Sequence, residues 1–455
     1  MLFATRKLKE LELEIVTQAP TGTISITENG TVDVTDYASA EVNVDYATIN
    51  FNLPAFTRVT PTGLSRGTMN FAATTVAPAG GSSPQSGYAL FGGGGGSSSA
   101  YTTVNAYNTS LTRTTPTELS QGRHSLAATN VGGYALFGGG SNGSTSSSRV
   151  DAYDTSLTRT TPTELSQARI NLAATAVGNY ALFGGGSGSP RSSSVDAYDT
   201  SLTRTTPTGL SQGRENLAAT NVGGYALFGG GQSSSFVYSS VVDAYDTSLT
   251  RTTPTELSQA RAQLAATAVA PSGDQQSGYA LFGGGYGSGS TYYATVDAYN
   301  TSLTRTTPTE LSQGRDGLAA TNVGGYALFA GGYAVEVEYR YDEDLDEYIE
   351  DYIYIYSNVV DAYNTSLTRT TLTELSQGRC YLAATTVGNY ALFGGGYFYT
   401  DKVDAYSLTD YDIPLFPGTK YSFNGAAEST SSTWQTISIQ GPAVGYTKIK
   451  NVTIN

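Results

Sequence analysis

Along most of this chain, short apolar runs alternate with polar, turn-forming stretches, and the same pattern keeps returning. One unit runs Leu126-Ala127-Ala128-Thr129-Asn130-Val131, then Gly132-Gly133, then Tyr134-Ala135-Leu136-Phe137 closed by Gly138-Gly139-Gly140. A polar stretch follows, then Val150-Asp151-Ala152-Tyr153 and the segment from Leu157 to Leu165. Runs this short, bounded by Gly, Asn and Ser, predict strands. The two residues between the first and second runs, repeated as Gly178-Asn179 and Gly388-Asn389, predict tight hairpins with positive φ. The second run begins at Tyr88, Tyr134, Tyr180, Tyr225, Tyr279, Tyr326 and Tyr390, mostly about 46 residues apart; Ala330 replaces one glycine in the sixth copy. Four antiparallel strands per unit, repeated seven times in a ring, predict an all-β, seven-bladed β-propeller.

The ends of the repeat region suggest how the ring closes. Thr57 to Leu64 matches the fourth strand of a unit, whereas Val403-Asp404-Ala405-Tyr406 is a third strand with no repeat text beyond it. Pairing these two completes a seventh blade from both chain ends and removes an exposed sheet edge. The expected organisation is an N-terminal segment at 1–20 with an attachment role, a small β module and linker at 21–56, the propeller at 57–409, and a C-terminal β tail at 410–455. Lys7–Ile15 is read as a short amphipathic helix. Thr23–Thr27, Val32–Val34 and Ala40–Val44 are read as strands.

The glycine run closing the second strand, the Val-Asp-Ala-Tyr strand, and the Arg before the first strand (Arg123, Arg169, Arg214) resemble the kelch family of propellers over roughly residues 57–406. The chain departs from that pattern in lacking the fourth-strand Trp; Leu157-Thr158-Arg159-Thr160 stands there. The resemblance implies a binding platform, although a fold alone does not assign a function. Near the N-terminus, Ile26-Thr27-Glu28-Asn29-Gly30-Thr31, Tyr37-Ala38-Ser39-Ala40 and Val42-Asn43-Val44 resemble a segment of tail and structural proteins of phages that infect Gram-positive bacteria. That resemblance implies a virion protein, made in the host cytoplasm, whose N-terminal region meets other virion proteins and which can form a homo-oligomer.

Charge narrows the partners. Formal net charge is −14 without basic clusters, which argues against nucleic acid and against an anionic membrane surface. A single cysteine, Cys380, allows no internal disulfide, and the first ten residues lack the apolar core of a signal peptide. No apolar run reaches the ~18 residues of a membrane span.

The copies agree and differ in a patterned way. Thr155 to Arg169 is almost unchanged among its counterparts, but the loop between the second and third strands differs every time: 95–103, 141–149, 187–194, 232–241, 286–295, 333–359 and 397–402. So do the two residues after the Arg: Met69-Asn70, His124-Ser125, Ile170-Asn171, Glu215-Asn216, Ala262-Gln263, Asp316-Gly317 and Cys380-Tyr381. Strand direction alternates within a blade, so both variable sets fall on one face of the ring. Tyrosine offers large contact area at low entropic cost. The candidate ligand-binding residues are therefore Phe236, Tyr238, Tyr286, Tyr292, Tyr293, Tyr333, Tyr339, Tyr341, Tyr352, Tyr354, Tyr356, Tyr381, Tyr397, Phe398 and Tyr399. The loop 333–359 alternates as two strands around an acidic turn, predicting a hairpin that stands off its blade. Loops 141–149 and 187–194 have no aromatic residue.

Catalytic and metal signatures are sparse. The glycine runs lack the Lys-Ser/Thr of a phosphate loop and are read as close backbone packing. Asp154, Asp199 and Asp246 alternate with Asn108, Asn300 and Asn364 at one position, which fits an Asx turn. Asp342 to Glu347 starts like a calcium loop, but Glu347 and Ile353 occupy the positions that need Gly and Glu. With His124 the only histidine, neither a two-His copper site nor a Ser-His-Asp set can be drawn. The expectation is a non-enzymatic protein, without cofactor or metal, that recognises a host cell-surface receptor or glycan. The alternatives are a structural or decoration protein with incidental loops, and a polysaccharide-cleaving enzyme using carboxylates of the 333–359 loop.

Overall fold

The computed structural model describes residues 56–408 except 79–86, 97–98, 189, 235–236, 271–277 and 343–346. Outside that span it describes only the backbone of short strands, and the side chains of 339–349 are not described either. The four runs of each repeat fold as four-stranded antiparallel sheets, seven in all. In the second blade the strands are Ala127–Val131, Tyr134–Gly138, Val150–Tyr153 and Arg159–Thr160, paired in sequence order from the innermost to the outermost. Gly132 and Gly133 turn the hairpin at φ 54° and 85°. The innermost strands lie against one another around the ring, and Ala383–Val387 meets Ala72–Val76 to close it. In the seventh blade the outermost strand is Phe56–Val59, beside Val403–Leu408, so both ends of the repeat region complete one sheet. The chain is a seven-bladed, all-β propeller.

Two features explain why this repeat closes into a ring. The first is apolar. Alternate residues of each inner strand are buried, and Ala135, Leu136 and Phe137 of the second strand are fully buried. The Phe137 ring meets the Tyr153 ring edge-on at 6.0 Å, and the same pair recurs in every blade. A Cβ at Gly138 would stand 2.7 Å from the Phe183 ring of the next blade, so the first glycine of the run is a seat for the neighbouring phenylalanine. The third glycine, Gly140 at φ 98°, donates its N–H to the carbonyl of Arg169 in the next blade, and this bond repeats at every blade junction. The glycine runs are thus structural.

The second feature is ionic. Arg123, Arg169, Arg214, Arg261, Arg315 and Arg379 are buried, and each pairs with the Asp of its own blade's Val-Asp-Ala-Tyr strand: Asp151, Asp196, Asp243, Asp297, Asp361 and Asp404. Four of these pairs span 2.8–3.0 Å. A second, half-buried Arg from the outermost strand, such as Arg159 or Arg369, approaches the same carboxylate. The inner Arg also donates to carbonyls; Arg123 reaches those of Phe137, Gly139 and Arg149. The first blade replaces both partners, with Thr68 for the Arg and Asn105 for the Asp. Thr68 donates to the Gly93 carbonyl, while the Asn105 side chain accepts the Ser65 N–H. A buried charge needs its counter-charge, and the two have changed together.

On the face opposite the variable loops, Asp154 accepts the N–H groups of Ser156 and Thr158 at 2.9 and 2.8 Å. Asn108, Asp199, Asp246, Asn300 and Asn364 make the same two bonds, the Asx turn expected from their interchange.

The chain divides into two compact units, Arg58–Ser407 and a second made of Met1–Thr57 with Leu408–Asn455. In the second unit Thr31–Asp33, Ser25–Thr27, Leu11–Glu14, Ala47–Asn50 and Tyr446–Ile449 form one five-stranded sheet. Leu11–Glu14 is a strand where a helix over 7–15 was expected. Leu-Glu-Leu-Glu alternates with period two, and that alternation outweighs its charge mix. The expected strand at 40–44 lies outside the described residues. Asp410–Leu415 pairs with Gln435–Gln440.

Candidate functional site

The two variable sets of each repeat are joined. The residue after the inner Arg forms a β-bridge with the first residue of the variable loop: His124 with Ser141, Ile170 with Ser187, Glu215 with Gln232, Ala262 with Tyr286, and Asp316 with Tyr333. The loops rise as small hairpins from that bridge. Gln232–Ser234 pairs with Val237–Tyr238, and Tyr286–Gly287 pairs with Thr291–Tyr292. In the sixth blade Tyr333–Asp342 and Glu347–Tyr356 pair over ten residues each, the hairpin expected from their alternation.

The next variable residue builds a collar around the channel mouth. Asn70, Ser125, Asn171, Asn216, Gln263, Gly317 and Tyr381 all adopt left-handed backbone, with φ between 53° and 58°. Each donates its N–H to the carbonyl of the same residue in the preceding blade. Asn70 donates to Tyr381, so seven bonds of 2.7–3.3 Å close a circle. Left-handed backbone is uncommon outside glycine, and for a residue as bulky as Tyr381 it is an outlier held only by its surroundings. Gly317 makes room for it: a Cβ there would lie 3.1 Å from the Tyr381 ring. These seven residues, with Phe71, Leu126, Leu172, Leu217, Leu264, Leu318 and Leu382 beneath them, line a cavity of ≈ 520 Å³.

From the fourth blade to the seventh, the loop aromatics touch in sequence. Tyr238 meets Tyr286 at 5.8 Å, Tyr286 meets Tyr292 at 5.1 Å, and Tyr292 meets Tyr333 at 5.8 Å. Tyr333 then contacts both Tyr356 and the collar residue Tyr381. Tyr356 stacks on Tyr397 at 5.4 Å, and Phe398 packs against both. Eight of the fifteen candidate residues therefore form one connected chain of rings. Tyr352 and Tyr354 lie on the hairpin, 57% and 59% exposed, and the Tyr352 hydroxyl donates to Glu350 Oε2 at 2.7 Å. Tyr399, also exposed, has left-handed backbone at φ 53°. Tyr293 is half-buried, and its carbonyl accepts the Arg315 N–H. Tyr339 and Tyr341 lie on the hairpin strand opposite Glu350 and Tyr348, with side chains outside the described residues. Phe236 is also outside them, as are most of the acidic residues compared with a calcium loop. Among the described residues no group of three metal-ligating side chains occurs.

One residue of the site was not marked by sequence reasoning. Asp316 is 2% exposed, and among the described residues its Oδ1 has no hydrogen-bond partner and no Arg or Lys pairs with it. Burial alone pushes its carboxyl up to about 7. Its charge would raise the pKa values of Tyr238, Tyr292, Tyr333, Tyr381 and Cys380. Burial raises those tyrosines as well, Tyr381 to about 12, so all are neutral donors near pH 7. The sequence signal was an acidic residue in a position held elsewhere by Met, His, Ile, Ala or Cys. In the fourth blade Glu215 occupies that position, but Arg191 pairs with it at 2.7 Å.

No family model and no curated protein matches the sequence. Among solved structures the chain is similar to YjhT, with 14% identity over 69% of this chain and 99% of that one, and a TM-score of 0.47.

Proposed function

We propose that this chain is a kelch-like propeller that binds, without catalysis, a glycan on a host cell surface through its variable-loop face, as a tail-fibre or receptor-binding component of a phage virion. The observation carrying the binding role is the connected chain of eight aromatic rings on that face. Seven of its members come from four loops that differ in length and sequence, and the eighth, Tyr381, from the collar, on blades whose frameworks are nearly identical. Sugar rings stack on such faces, and rigid tyrosines lose little entropy on contact. The virion assignment draws on the N-terminal segment around Glu28-Asn29-Gly30, and the kelch assignment on the glycine run and the Val-Asp-Ala-Tyr strand. Attachment of labelled protein to a panel of Gram-positive bacterial cells tests the reading. The expected result is saturable binding to some strains that Tyr333→Ala with Tyr397→Ala removes. Equal attachment by the variant, or none by the parent, overturns it and leaves a decoration role.

One observation favours a second reading, a polysaccharide-cleaving enzyme. Asp316 is buried with Oδ1 lacking a hydrogen-bond partner among the described residues, and burial pushes its carboxyl up to about 7, the range where general acids operate. Release of reducing ends from cell-wall polysaccharide, lost in Asp316→Asn, would establish it.

A further inference from the structure

We infer that the collar at the channel mouth is the subsite for the terminal residue of an uncharged, hydroxyl-rich sugar. This rests on the glycan-binding reading of the face. The collar's peptide groups are already committed, because each N–H and each carbonyl belongs to the closed ring of seven bonds. Polar contact with a ligand therefore falls to side chains. Those are Asn70, Ser125, Asn171, Asn216 and Gln263, all half-buried, with the Tyr381 ring completing the wall beside Gly317; Asn171 Nδ2 also donates to Glu215 Oε2 at 3.3 Å, and Ser125 Oγ lies 3.1 Å from His124 Nδ1. Amides and hydroxyls donate and accept at once, which suits vicinal hydroxyls, and a tyrosine ring offers the stacking surface. The Tyr381 hydroxyl reaches Gln263 Oε1 at 3.3 Å and the Tyr333 hydroxyl at 3.4 Å, so the collar is continuous with the chain of aromatic rings. A cavity of ≈ 520 Å³ admits one or two pyranose rings end-on.

The lining also specifies charge. It contains no ionisable group apart from the Tyr381 hydroxyl. The guanidiniums nearest in sequence are buried on their own Asp partners, and burial disfavours the charged form of His124, which precedes the collar residue Ser125. The carboxyls Glu215 and Asp316 immediately precede the collar residues Asn216 and Gly317. An anionic sugar would be dehydrated there without a counter-charge, which is costly. Sialyl, uronyl and phosphoryl ends are thus rejected.

The test exploits the backbone. Glycine is native at one collar position, Gly317, and is at ease with left-handed φ. Asn171→Gly and Asn216→Gly therefore delete the amides while keeping the circle of bonds, and thermal melts check that the fold survives. Binding is measured on immobilised glycans ending in neutral hexoses or N-acetylhexosamines and on the same cores ending in sialic acid, uronic acid or phosphate. The expectation is preference for neutral ends and about tenfold weaker binding for each glycine variant. Preference for acidic ends, no binding to any neutral-ended glycan, or unchanged binding by both glycine variants overturns the inference. If Tyr333→Ala with Tyr397→Ala loses attachment to cells while the glycine variants keep it, the face still binds and only the collar assignment fails.

Discussion

The second and third blades differ from the fifth to seventh in almost nothing but their loops. Arg169 on Asp196 and Arg315 on Asp361 are the same buried pair, and the Phe183–Tyr198 and Phe329–Tyr363 contacts agree within 0.1 Å. Above that framework, residues 141–149 and 187–194 are serine- and glycine-rich, whereas the later loops carry the tyrosines. Framework and loop face are therefore under separate physical demands. The framework must satisfy buried charge and packing in every blade, and the loop only has to leave and rejoin it at fixed points. Those points are the bridge after the inner Arg and, at the loop's far end, the bond back to the third glycine, as from the Ser147 N–H to the Gly140 carbonyl and from the Ser357 N–H to the Gly332 carbonyl. A substitution in the framework should cost the same in either sector. One in the loops should matter in one sector only.

The largest effect tests the first half of that contrast. Arg169→Ala or Arg315→Ala leaves a buried carboxylate opposed only by its outer Arg, and should cost about 3–5 kcal/mol of stability in either sector. Equilibrium unfolding in denaturant measures it. The first blade shows how the loss is repaired. Arg169→Thr combined with Asp196→Asn recreates its neutral Thr68 and Asn105 arrangement and should be much milder than either single change. Unequal costs between the sectors, or additivity in the double variant, would break the comparison.

The propeller, its seven blades and the pairing of both chain ends could be read from the repeat alone, because each strand run is short, bounded by glycine and present seven times. The partner of the inner Arg was missed. Val-Asp-Ala-Tyr reads as an ordinary strand, and its Asp faces the Arg only across the folded blade. The signal was present nonetheless, since Thr68 and Asn105 are both exceptions and fall in one unit. The collar was half legible. Asn at three positions and Gly at one hint at left-handed backbone, but Ser125, Gln263 and Tyr381 do not, and the circle of bonds exists only once seven blades meet. The contacts among the aromatic loops were not readable at all, because loop length and composition do not say which rings touch.

Asp316 sharpens the comparison through pH. Its carboxyl is held at about 7 by burial, above the ordinary carboxylate value it has when unfolded. Between roughly pH 4 and 7 the folded chain therefore holds a proton that the unfolded chain has released, so this residue makes stability fall as pH rises through that window and level off above it. Asp316→Asn should flatten that slope and raise the melting temperature at pH 8 more than at pH 5. The same slope in Asp316→Asn as in the parent would mean that the carboxyl is ionised and matched in the fold.

The tyrosines come next. Truncating one anchor at the centre of a contact typically costs on the order of 2 kcal/mol, about thirtyfold in affinity. Tyr333→Ala touches the ring contacts with Tyr292, Tyr356 and Tyr381 together and should weaken attachment by at least that factor, with the fold retained. Tyr354→Ala, out on the hairpin, should cost less. Ser146→Ala and Ser193→Ala should leave attachment unchanged. A serine effect without a tyrosine effect would move the site to the other sector.

The smallest effect belongs to the face on which the sectors do not differ. Asp154 accepts two backbone N–H groups through one oxygen, holding a turn in which Leu157 has left-handed φ of 62°. Asp154→Asn keeps that oxygen, and Asn108, Asn300 and Asn364 show that the turn forms with an amide. The change in stability should stay within about 0.5 kcal/mol, the ordinary range for an exposed substitution. Asp154→Ala removes the acceptor and leaves a non-glycine residue to hold the left-handed turn unaided, which should cost about 1 kcal/mol. The same two changes at Asp246, in the fourth blade, should give the same two values, since its bonds have the same lengths. Neither should alter attachment, because the turns lie on the face opposite the loops. If Asp154→Asn did weaken attachment while leaving the melting curve alone, the uniform face would itself be a contact surface, and its sameness from blade to blade would need a partner rather than a turn to explain it.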